Sequence, residues 1–226
     1  MRFITLAASL LLVPILAGNE QGASKVEIVS PLPYGEKAHY EISRPEFVYP
    51  GRYQSLAGAD VKNFVIHSFE RKRHLICGKL KAGYWESHED LALNSLRLIN
   101  SYPLPSSDPK LEFLLVIFEY NGVSGSSDSS GIAQVWKLDE GELNIHQQIE
   151  YNTHFGGAGA YQKFSPEDQR LAVRASHYLP GDAHCCISAY DELTFRWTGS
   201  EYGLARIETK RLNRSSGTRS SSKKVN

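Results

Sequence analysis

The stretch Leu111-Glu112-Phe113-Leu114-Leu115-Val116-Ile117-Phe118-Glu119-Tyr120 decides the fold class. Its apolar run is nearly unbroken and rich in the Phe, Val and Ile side chains that suit a pleated surface. Successive residues of a strand point to opposite faces, so this run predicts a central strand covered on both sides. Further β-type runs lie at 63–69, 73–80, 132–138, 143–151, 170–178, 192–197 and 202–207. In the sixth of these, Leu193, Phe195 and Trp197 share one face. Leu171, Val173 and Ala175 do the same, opposite Arg170, Arg174 and Ser176. Asp139-Glu140-Gly141-Glu142 separates two runs and reads as a hairpin loop with Gly141 at positive φ. One helix candidate spans 87–99, where Ser87 and Asp90 fit a capping box, although Leu91, Leu93, Leu96 and Leu98 mix both periods. The expected class is mainly β, an antiparallel sheet, sandwich- or barrel-like, with α+β as the alternative if one short helix forms near 87–99.

Composition agrees with one globular body. Of 226 residues, 41% are apolar, and 25 basic and 25 acidic side chains give a formal charge of zero. That balance excludes a mainly disordered chain, a fibrous protein, a polytopic membrane protein and a nucleic-acid binder driven by overall charge. No internal repeat or long linker divides the region 19–208, which reads as a single β-rich domain.

The two ends differ from this body. Met1-Arg2 precedes an uncharged apolar run over 3–17 that closes on Leu16-Ala17-Gly18. A short basic start, an apolar run below spanning length and small residues at its end describe a secretory signal peptide over 1–18. Position 19 is Asn where a lipobox would need Cys, so cleavage near Gly18 without lipidation is expected, with a secreted or periplasmic product. From Arg206 onward seven basic residues face Glu208 alone, a net +6 that leaves −6 on residues 1–205. With five serines added, 209–226 reads as a disordered basic tail whose reach is a weak contact with an anionic surface.

Two loops stand out by composition. The stretch 121–131 carries Asp128 as its one carboxylate, too few for a calcium loop. Phe155-Gly156-Gly157-Ala158-Gly159-Ala160 lacks the Lys-Ser/Thr of a phosphate loop, so its glycines read as turn and packing residues.

The chemistry concentrates between Ala175 and Trp197. Cys185 and Cys186 are adjacent, and the third cysteine is Cys77. In an oxidising compartment the first expectation is a disulfide from Cys77 to one of the pair, worth about 4–5 kcal/mol by loop closure. A strained vicinal ring, free thiols or a metal site are the alternatives. His177, Asp182, His184 and Cys185 offer donors suited to zinc or copper, but adjacent strand residues point apart, so Cys185 and Cys186 do not readily share one ion. Hydrolase motifs of the Gly-x-Ser-x-Gly and His-Glu-x-x-His types are missing. Asp191-Glu192 could supply a carboxylate and His154 or His177 a base, a combination of low specificity.

The run Tyr178-Leu-Pro-Gly-Asp182-Ala-His184-Cys185-Cys186-Ile-Ser188, followed by Thr194-Phe195-Arg196-Trp197-Thr198-Gly199, resembles the C-terminal signature of uncharacterised secreted bacterial proteins. It is distantly similar to the mycobacterial LppP/LprE lipoprotein family, whose members show a cysteine–proline–serine stretch and then an aromatic-Arg-Trp-Asp-Gly strand. Here Ile187 replaces the proline and Thr198 the acid, and Asn19 replaces the lipidated cysteine. The likeness covers about residues 108–208, most distinctively 152–160 and 182–188, with Asp182, His184, Ser188, Arg196 and Trp197 as its signature positions. It implies an envelope or secreted location and no established activity.

The expectation is therefore an exported, non-enzymatic binding or accessory domain without a cofactor. Its partner would be an envelope protein or a small ligand, with no nucleic acid and no integral membrane segment. The rival is a periplasmic hydrolase or metal-dependent enzyme working through His177, Asp182 and His184.

Overall fold

A computed structural model describes residues 40–70, 73–87, 94–122, 129–153, 162–182 and 187–212. Within them run β1 (Tyr40–Ser43), β2 (Phe47–Val48), β3 (Val65–Glu70), β4 (Arg73–Lys79), β5 (Tyr84–Ser87) and β6 (Asn94–Leu104). There follow β7 (Leu111–Gly122), β8 (Ser129–Asp139), β9 (Glu142–Thr153), β10 (Gln162–Ser165), β11 (Arg170–His177), β12 (Ala189–Trp197) and β13 (Tyr202–Arg211). A 3₁₀ turn at Val61–Asn63 is the one helical element among the described residues. No helix there is long and apolar enough to cross a membrane.

The strands form three layers. The central sheet has the order β1-β9-β8-β7-β6-β5, with β2 also paired to β9. A four-stranded sheet, β10-β11-β12-β13, covers one face, and the β3-β4 hairpin covers the other. Each pairing is antiparallel, and the central sheet stays open rather than closing into a barrel.

Strand β7 shows why. Phe113, Leu115 and Ile117 pack toward the four-stranded sheet, against Leu171, Val173, Ala175, Leu193 and Phe195. Leu114, Val116 and Phe118 pack the other way, against Ile66, Ile76, Leu80 and Trp136. All six β7 residues are buried, and each such side chain contributes about 1.5–3 kcal/mol. The unbroken apolar run therefore needs two covering layers, and the fold supplies both. At the β8–β9 turn Glu140 and Gly141 take φ of 48° and 85°, the primed geometry that matches strand twist. Gly131 on β8 lies under the buried Tyr151 ring, where an added Cβ would sit 2.0 Å from the ring carbon that bears the hydroxyl.

Two expectations need correction. The helix candidate over 87–99 is overturned at both its ends: Ser87 closes β5 and Asn94 to Ile99 belong to β6, while 88–93 lie outside the described residues. Leu96 is buried and Arg97 exposed, the alternation of a strand, and a bulge between Leu98 and Asn100 broke the pattern in the sequence. The basic segment from Arg206 is also structured further than its composition suggests. β13 pairs with β12 through Arg211, and Leu212 N–H donates to Ser188 O at 2.8 Å, so the fold runs past residue 208. Residues 1–39, which include the expected signal peptide, and 213–226 of the tail lie outside the described residues, as do most of the 121–131 loop and the 155–160 glycine run.

Candidate functional site

Register divides the sandwich into two unlike ends. At one, short turns join the strands: 105–110, 140–141, 166–169 and 198–201. Side chains staple the sheets together there. Trp197 Nε1 donates to Pro105 O at 2.6 Å, and its indole packs on Phe113 and Tyr202 with centroids 5.1 and 5.3 Å apart. Buried Gln147 acts as a short piece of strand, donating to Tyr202 O at 2.9 Å and accepting from Tyr202 N–H at 2.8 Å. Arg44 and Glu201 add an ion pair.

At the opposite end the strand termini Ser87, Asn94, Gly122, Ser129 and Thr153 line up across the central sheet. His177, Ala189 and Arg211 close the covering sheet on the same side, joined to it by Tyr151 Oη donating to Gln162 Oε1 at 3.0 Å. From here leave the connections 88–93, 123–128, 154–161 and 183–186, so both distinctive stretches of the sequence, near 152–160 and 182–188, start at this end.

A buried carboxylate sits just inside it. Asp191 occupies an inward position of β12 between Ala189 and Leu193, where an unpaired charge would be costly. The two neighbouring strands satisfy it: His177 Nδ1 on β11 lies 2.9 Å from Oδ2, and Thr209 Oγ1 on β13 donates to Oδ1 at 2.7 Å. A carboxylate only accepts, so the His177 nitrogen facing it carries the proton. Burial raises the Tyr40 phenol above its ordinary 10.0, and the Asp191 charge adds to that rise. Thr209 Oγ1 meets the carboxylate, not the imidazole, so Thr209 itself is not placed as a nucleophile for His177.

A second carboxylate closes the β11–β12 connection. Asp182 Oδ2 accepts from Leu179 N–H and Ser188 N–H, both at 2.8 Å, and Oδ1 accepts from Ser188 Oγ. The two ends of the segment 183–187 are thereby held together. Beside this clamp Leu179, Pro180, Asp182, Ser188, Arg211 and Leu212 line an open groove of about 470 Å³.

The sequence signature is thus split. Asp182 and Ser188 touch each other at the loop end, whereas Trp197 staples the turn end and Arg196 is exposed on the outer side of the covering sheet. His154, His184, Cys185 and Cys186 lie outside the described residues. Cys77 is an exposed free thiol on β4, in the layer across the central sheet from β12, with Sγ 3.6 Å from His67 Nε2. A disulfide needs Cα atoms within about 7 Å, which sets the distance any pairing with Cys185 or Cys186 must meet. Among the described residues no group of three or more His, Cys, Asp or Glu side chains could hold a metal.

Sequence reasoning missed Thr209, because a basic neighbourhood concealed the continuing alternation of Ile207 and Thr209. It also left Asp191 as one scattered carboxylate, since only strand register brings it to His177. No family model matches the chain, and no curated protein or solved structure shows significant similarity to it.

Proposed function

We propose that the chain is an exported, non-catalytic binding domain that uses the loop end of its sandwich to hold an envelope protein or a small ligand. The observation that carries this reading is the use of the two loop-end carboxylates. Asp182 clamps the β11–β12 connection and Asp191 ties three strands together, so both build a scaffold under the loops. Rigid strands supporting a cluster of connections are a common arrangement for recognition. The groove beside the clamp has apolar walls in Leu179, Pro180 and Leu212 and one exposed cation in Arg211. Export, with cleavage near Gly18 and no lipid, is supported by the basic-apolar-small pattern of residues 1–18 and by Asn19.

The hydrolase or metal-enzyme reading keeps one observation in its favour. A carboxylate on Nδ1 is how enzymes and metal sites orient a histidine, and Asp191 does this to His177. Thermal shift of the purified exported protein against a panel of muropeptides, sugars, lipid headgroups and divalent metals separates the two. Binding predicts a stabilising ligand whose effect falls in Arg211→Glu, with no product formed. Turnover of ester, phosphate or peptide substrates that disappears in a folded His177→Ala protein would overturn it.

A further inference from the structure

The outer side of the four-stranded sheet carries an arrangement that folding alone does not favour. Its outward positions are Lys163 and Ser165 on β10, Arg170, Ala172 and Arg174 on β11, Tyr190, Glu192, Thr194 and Arg196 on β12, and Gly203, Arg206, Glu208 and Lys210 on β13. Six cations thus face two carboxylates. The half near the loop end is balanced: Glu192 binds Arg174 and Lys210, and Glu208 binds Lys210 and Arg206. The other half is not. Arg170 and Arg196 are direct cross-strand partners, a like-charge pairing that destabilises a sheet. Lys163 flanks them one register step away, Arg206, held by Glu208, borders them on the other side, and all four are exposed. Lys163 and Arg196 make no ion pair among the described residues. Asp168 in the 166–169 turn binds Arg170 at 3.4 Å, and Glu167 of the same turn engages Ser165, so the nearby acids lie at the rim.

We propose that this basic side of the covering sheet, centred on Lys163, Arg170 and Arg196, docks on an anionic phospholipid surface. The chemistry recognised is an array of phosphate headgroups, which a broad face of spaced cations can meet at several points. Nucleic acid suits the face less well. Its one aromatic residue, Tyr190, is covered by the Arg174 guanidinium 4.6 Å from the ring centre, leaving no platform for base stacking. A protein partner would call for apolar anchors, and the face offers only Ala172 and the covered Tyr190. The chain leaves this sheet at Arg211 and continues with Arg214, Arg219, Lys223 and Lys224 and no acid, so its charge has the same sign.

The test uses the full mature chain with phosphatidylcholine vesicles, with and without phosphatidylglycerol, in a co-sedimentation assay. Binding is expected with the anionic vesicles alone and should weaken as salt rises. The double variant Lys163→Glu/Arg196→Glu should lose about tenfold or more in affinity at an unchanged melting temperature. Should reversal disturb the sheet, Lys163→Gln/Arg196→Gln gives the same comparison with neutral side chains. The tail variant Arg214→Ala/Arg219→Ala/Lys223→Ala/Lys224→Ala should lose less. Sheet variants that bind like wild type, a tail variant that removes all binding, or tighter binding to duplex DNA than to the vesicles would each overturn the proposal.

Discussion

The two ends of the sandwich solve different problems with similar residue types. At the turn end Trp197 and Gln147 bond to backbone atoms of the strands and turns they face, so tight turns and buried contacts reinforce each other. At the loop end Asp182 bonds across the β11–β12 connection, and Asp191 bonds across the strands β11, β12 and β13. The first arrangement contributes to global stability. The second fixes the strand ends around His177, Asp182 and Ser188, from which connections depart, as rigid scaffolds commonly do for variable loops.

Substitutions should separate the ends, and the largest effect belongs to the turn end. Trp197→Ala removes the contacts with Phe113 and Tyr202 and the bond to Pro105, and should cost about 3–5 kcal/mol in chemical denaturation. Gln147→Ala leaves the buried Tyr202 N–H and C=O without their partner and should cost about 2–3 kcal/mol. A smaller change follows from Asp182→Ala, which frees Leu179 N–H and Ser188 N–H at about 1–2 kcal/mol. Its signature is local: faster amide exchange at Leu179 and Ser188, with Tyr202 and Gln147 unchanged. An Asp182→Ala protein destabilised as much as Trp197→Ala would erase the distinction.

A weaker effect is pH-dependent. Burial, with Lys137 nearby, lowers the His146 pKa below its ordinary 6.5. Below pH 6.5 the unfolded chain takes up this proton before the folded one does, so stability falls as pH drops through that range. His146→Gln should flatten the acid side of the stability profile, measured by urea midpoints between pH 7 and 5. Alkylation of the native protein, which should leave stability unaltered, is expected to label the exposed Cys77 thiol. A Cys77 peptide recovered in a disulfide would show the thiol paired.

Much of this was legible in the sequence where burial is two-sided or strictly alternating. The 113–118 run specified a doubly covered strand, and Leu171, Val173 and Ala175 marked the inner side of β11. Strands with weaker patterns escaped. Gln162–Ser165 and Tyr40–Ser43 are short, and the Leu98–Asn100 bulge in β6 shifts its alternation, so local pattern alone suggested a helix there. The site was legible in part. Asp182 and Ser188 stood out together, but their role as a clamp depends on a turn that folds the chain back. The His177–Asp191–Thr209 contact spans three strands and follows from register, which a single sequence does not spell out.

The central claim is that the loop end recognises and does not catalyse. Amide spectra of the isotopically labelled mature protein, titrated with the ligand found by thermal shift, test it most directly. The account predicts shifts clustered at Tyr40, Thr153, His177 to Asp182, Ile187 to Ala189 and Thr209 to Leu212, with the ligand recovered unchanged. Shifts centred on Pro105, Gly141 and Trp197, or ligand converted to product by wild type but not by His177→Ala, would contradict it.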